Sequence, residues 1–180
     1  MKTLKLLSCC AILCGVLAQT SDAAARENYV AGRAGDLTGG RVSSLVRYEA
    51  SDGRISVVIR GDPFAGQVAN PNAVVAGVLR LPPGYPRAKF FQTANAEIGR
   101  GTRLIVVFDA ANPNLNVRQL CLDLDSVEVA KPVGQARLSA AFCEGGKLAR
   151  GAVGSTPRPQ AMDKEFKRFL DKVLIAVFPR

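Results

Sequence analysis

The 180 residues contain no histidine and no tryptophan. Without His there is no Ser-His-Asp or Cys-His catalysis and no His-ligated zinc. Without Trp the sequence lacks the broadest platform for stacking a sugar ring. It carries no phosphate-cradling P-loop and no dinucleotide fingerprint after a strand. The cysteines lack the Cys-x-x-Cys spacing of a thiol oxidoreductase. No cofactor and no metal ion is therefore expected. Lys and Arg are scattered, without a dense basic run or interleaved aromatics, so no nucleic-acid partner is expected either. Beyond the N-terminal stretch, no apolar run is long enough to span a bilayer, so no transmembrane segment is expected after signal removal.

What is present begins with a secretory signal pattern over residues 1–25. Lys2 and Lys5 give a positive n-region, Leu6 to Leu17 an apolar h-region, and Ala23-Ala24-Ala25 a small-x-small cleavage site. Ala18 is an alternative cut point. Cys14 follows the bulky Leu13, and Cys9 precedes any developed h-region, which disfavours lipidation. A periplasmic protein without a lipid anchor is expected. Two Lys and one Asp lie in the signal, so its removal takes the formal charge from +9 to +8. A basic exported protein tends to associate with anionic surfaces such as phospholipid headgroups or acidic polysaccharide.

Export leaves two cysteines, Cys121 and Cys143. An even count in an oxidising compartment points to a disulfide between them. The alternatives are two free buried thiols or a two-thiol metal site, which no His is present to complete.

The remaining chain is of single-domain size. Arg103-Leu104-Ile105-Val106-Val107-Phe108-Asp109 is a short apolar run rich in β-branched residues between turn formers, which reads as a central strand buried on both faces. Residues 26–40 are glycine-rich and read as a flexible lead-in. Val42 to Ala50 and Arg54 to Arg60, around Ser51-Asp52-Gly53, read as a hairpin. Asn70 to Leu81 reads as a helix with Asn as N-cap and Pro in the first turn. Lys89 to Thr93 and Val117 to Leu122 read as strands. Ala136 to Cys143 and Lys147 to Gly154 read as a second hairpin around Glu144-Gly145-Gly146. Phe166, Phe169, Leu170, Val173, Leu174, Val177 and Phe178 lie on one face of a C-terminal helix, read as core packing rather than a membrane-surface face. Together these predict one α+β domain over residues 41–180, with a mainly antiparallel sheet of about five or six strands and two helices on one face.

Val57-Val58-Ile59-Arg60-Gly61-Asp62-Pro63-Phe64, the run Arg103 to Asp109, Phe142-Cys143-Glu144-Gly145-Gly146-Lys147-Leu148 and the ending Val177-Phe178-Pro179 give the chain a layout that resembles a group of small exported proteobacterial proteins, uncharacterised in function. The shared motifs are structural, so the resemblance implies a periplasmic or envelope location and no active-site residues.

The chemistry left is that of carboxylates. Asp123 and Asp125 are two apart and would share a face on a strand, and Asp109 ends the central strand. Paired carboxylates can hydrolyse glycosides or hold Ca²⁺. The simpler expectation is that Leu122 and Leu124 point inward while the acids face solvent. Two function classes follow. One is a non-catalytic envelope protein that binds a partner protein or an anionic lipid or polysaccharide surface. The other is a periplasmic hydrolase using Asp109, Asp123 or Asp125.

Overall fold

The computed structural model describes residues 28–93 and 101–179. The expected signal peptide and its three cysteines lie outside the described residues. The strands are β1 (Tyr29–Arg33), β2 (Arg54–Arg60), β3 (Lys89–Gln92), β4 (Thr102–Phe108), β5 (Ala136–Glu144) and β6 (Lys147–Thr156). The helices are α1 (Gly39–Glu49), α2 (Pro71–Val78), α3 (Val117–Leu122) and α4 (Lys164–Val177). All six strands join one sheet in the order β1-β6-β5-β4-β2-β3. Three pairings are antiparallel, β1 with β6, β6 with β5 and β5 with β4, and β2 runs parallel to both β3 and β4. The chain is thus an α+β domain on a mixed, mostly antiparallel sheet.

β4 is the central strand that its apolar run predicts, and every residue in it is buried. Successive side chains alternate between faces. Leu104, Val106 and Phe108 enter one core, and Ile105 and Val107 enter a second on the other side.

The larger core lies under α1, α2 and α4. Asp163 caps α4, its carboxylate accepting the Phe166 N–H at 2.7 Å. The apolar stripe of α4 is buried, as its spacing predicts, and Phe166 meets Phe64 edge-on with centroids 5.4 Å apart. Gly154 in β6 permits this docking. A Cβ there would lie 2.9 Å from the Phe169 ring and 2.6 Å from the Tyr29 carbonyl oxygen.

The smaller core lies under α3, whose Val117, Leu120 and Cys121 are buried. The Cys121–Cys143 disulfide, Cα–Cα 5.6 Å, ties this helix to β5. Gly151 in β6 gives the helix room, since a Cβ there would stand 2.8 Å from Val117 Cγ2.

Several expectations need correction. Val42 to Ala50 is not a strand but most of α1. Val42 and Val46 are four apart, which puts them on one face in either geometry, and Thr38 decides for helix by accepting the Arg41 N–H. Asp52-Gly53 is accordingly no hairpin turn. Gly53, at φ +77°, terminates a 3-10 turn and turns the chain into β2. Val117 to Leu122 is helical, capped by the Asn116 side chain on the Arg118 N–H. Its apolar residues at 117, 120, 121 and 124 follow helical spacing. Residues 26–40, expected as a flexible lead-in, include β1, where Val30 packs against the larger core. The two-helix layer is in fact three helices on one face and a short one on the other. The helix expected from Asn70 does form, but Asn70 sits at φ +52° and makes no side-chain cap bond.

The disulfide closes a loop of 22 residues. Loop-closure entropy gives it about 3 kcal/mol. Cys121→Ser is expected to lower unfolding stability by about 2–4 kcal/mol. Amide exchange should rise first in α3, and uniform acceleration across the sheet would contradict that order.

Candidate functional site

The carboxylates singled out by sequence are each engaged separately. Asp109 follows β4 at φ +50° and is buried. One oxygen accepts the Arg137 N–H at 3.0 Å, and the other lies 2.9 Å from Arg158 Nη1. Both side chains of that pair are sequestered, Asp109 at 5% and Arg158 at 12% exposure. Arg158 also donates to the carbonyls of Pro63, Gly134 and Gln135 at 3.0–3.2 Å. The pair therefore staples the turn after β2 and the loop before β5 onto the end of β4. Asp125 is exposed and pairs with Arg60. Asp123 accepts the Ser126 N–H. The segment from 117 onward is helix and turn, so the side-by-side relation expected of Asp123 and Asp125 on a strand does not arise. Among the described residues no group of three His, Cys, Asp or Glu could hold a metal ion.

The concave feature that carries chemistry lies on the α3 face of the sheet. α3 packs on the near parts of β5 and β6 but leaves β1 and the far ends of β5 and β6 open. A groove of about 630 Å³ results, walled by residues 113–118 and floored by the strands. Its size is that of a small-ligand site. In register across the sheet, Arg33 stands opposite Gly151, and Tyr29 stands opposite Ser155, which stands opposite Arg137. Directly opposed residues share a face. Arg33 therefore lies at one end of the groove and Arg137 with Tyr29 at the other, and Arg118 follows Val117, which stands over Gly151 opposite Arg33. Val153 and Ser139 lie between them, with Leu115 on the wall.

Among the described residues no acidic residue lines this groove. Arg118 is paired with Asp36 at 2.6 Å. Arg33 and Arg137 are exposed and form no ion pair among the described residues. The arrangement can bind anions.

A second basic hollow, of about 790 Å³, lies along residues 80–89. Several of its polar groups are already engaged. The Tyr85 hydroxyl donates to the Pro179 carbonyl at 2.6 Å, and Arg80 donates to the Gly77 and Leu79 carbonyls. Its walls are a proline-rich loop, whereas the first groove stands on paired strands and a cross-linked helix, which hold side chains more firmly. Arg103 is a further buried cation. Burial pushes its guanidinium below the usual arginine range, and its one bond is to the Gly145 carbonyl at 3.4 Å. It faces the smaller core next to the disulfide.

Sequence reasoning missed Arg33, Arg118 and Arg137 because they are far apart in the chain and look scattered. A signal was available in β5 and β6. Ala141 and Gly151 carry this face into the smaller core, but Arg137 and Ser139 of β5 with Ser155 of β6 put polar residues at its far end, which cannot be deep core.

Comparison with known protein families, curated proteins and solved structures finds no match to this chain.

The Asp109–Arg158 pair makes a direct prediction. Arg158→Met should cost about 3–5 kcal/mol in urea unfolding, because it strands a buried carboxylate. Adding Asp109→Asn should recover part of that loss. A single-variant cost below about 1 kcal/mol would mean that the pair behaves like a surface ion pair.

Proposed function

We propose that this chain is a non-catalytic, exported envelope protein of the proteobacterial group it resembles, and that it binds an anionic envelope surface through the groove between α3 and the open ends of β1, β6 and β5. The observation that carries this reading is the groove's charge. Two arginines without an ion pair stand on rigid strands, and among the described residues no acid lines the space between them. The disulfide supports export, since such bonds persist in oxidising compartments. Among the described residues no helix is long and apolar enough to cross a membrane. The separate engagement of Asp109, Asp123 and Asp125 favours this binding role over the hydrolase alternative.

Co-sedimentation with phospholipid vesicles tests the surface. Binding should require anionic lipid and should weaken as salt rises. Arg33→Ser with Arg137→Ser should weaken it about 30-fold, at ~1 kcal/mol per arginine near the surface. Unchanged binding by that double variant would assign the attraction to overall charge instead of the groove. Processing has its own check. The mature protein should begin near Arg26 and carry no lipid by mass spectrometry, and a diacylglycerol-modified Cys14 at its N-terminus would overturn that expectation.

A further inference from the structure

The two unpaired arginines of the groove are not neighbours. Arg33 lies in β1 opposite Gly151, and Arg137 lies in β5 opposite Ser155. They are separated by the full width of β6 and by four positions along it. Strand spacing and rise then put their α-carbons about 16 Å apart. A single phosphate or carboxylate near one end would leave the other arginine uncompensated.

The floor between the ends has a different character. Ala31, Val153 and Ser139 fall in one row across the three strands. Leu115 and the buried Val117 flank that row from the wall. No charged residue belongs to this middle row. The groove therefore has a cation at each end and a mostly apolar, hydroxyl-dotted middle.

We infer that the groove takes an elongated dianion, a ligand with one anionic group at each end and a weakly polar middle. This rests on the anionic reading of the same groove and makes it specific: the site measures the distance between charges. Arg33, with Arg118 beside it, receives one anionic end. Arg137 receives the other, with Tyr29 and Ser155 as neighbouring hydroxyls. Val153 and Leu115 contact the middle. A free α,ω-diacid and a stretch of an anionic polymer present the same chemistry to such a site.

The test is calorimetric titration of the disulfide-bonded mature chain with alkane-α,ω-dicarboxylates of increasing length, alongside monocarboxylates of matching chain length. Tyrosine emission gives a parallel signal, since the chain has three Tyr and no Trp, and Tyr29 lies in the groove. One diacid per chain should bind. Affinity should peak where the carboxylates stand about 10–16 Å apart, and there the diacid should exceed its monoacid about tenfold or more. Arg33→Ser and Arg137→Ser should each remove that advantage while circular dichroism stays unchanged.

A steady rise of affinity with chain length, equal for mono- and diacids, would show a simple apolar slot and overturn the inference. Tightest binding by the shortest diacid would show a point-anion site and overturn it equally. Vesicle binding that persists while the length series is flat would leave the surface reading standing and sink only the two-ended site. A length optimum without vesicle binding would do the reverse. Displacement of the best diacid by long-chain polyphosphate, but not by inorganic phosphate, would uphold the two-ended site and assign it to a polymer segment. Displacement by neither would uphold it as a site for a free diacid.

Discussion

Seven consecutive buried residues in β4 oblige the sheet to be covered on both faces. On one face three helices and a phenylalanine cluster supply that cover. On the other, only six residues of helix are available. A helix that short has no stability of its own in water. It persists because Val117, Leu120 and Cys121 dock into the smaller core and because Cys121 is bonded to Cys143. The disulfide thus compensates for an undersized layer. The same shortage of cover leaves the outer strands bare on that side. The groove is what remains of a face that α3 is too short to close.

The Asp109–Arg158 pair explains why a more usual location is not used. In open sheets, ligands commonly bind beyond the carboxyl ends of parallel strands. Here β2 and β4 are the central parallel pair, and both end beside Asp109 and Gly61. Gly61 is at φ +81°, and a Cβ on it would stand 2.4 Å from the Phe108 carbonyl oxygen. Arg158 fills the adjoining space and donates to carbonyls from two loops. A carboxylate at this position could look catalytic from sequence alone. Its hydrogen bonds and ion pair are with the protein itself, and it closes that end of the sheet.

Legibility of the fold in the sequence depended on whether the competing geometries differed. The β4 run, the β5–β6 hairpin and α4 were readable because their patterns fit one structure only. α1 was not, because Val42 and Val46 satisfy strand and helix alike, and the cap that decides between them is one threonine hydroxyl. α3 was short enough for its β-branched Val117 to suggest strand, although the spacing to Leu120, Cys121 and Leu124 is helical. β1 was hidden by Gly32 within it and by the glycines that follow it, and only pairing with β6 gives it a role. The cysteine pair was readable by counting. The groove was not, because its arginines come from β1, α3 and β5, and only the register brings them to one face.

The arginines show how one residue type divides into separate roles. Arg158 is surrounded by carbonyls and an acid, so its charge is consumed inside the molecule. Arg103 is buried with a single weak bond and has no access to solvent from which to recruit an anion. Arg118 is largely neutralised by Asp36. Arg33 and Arg137 differ from all three because they combine solvent access with no acidic partner among the described residues. They are also fixed relative to each other, since β6 lies between their strands and is paired to both from Gly151 to Ser155. Unpaired charges on loops would attract any anion at whatever spacing they happened to adopt. Unpaired charges on opposite sides of a common strand impose a separation, and selectivity for ligand length follows from that geometry.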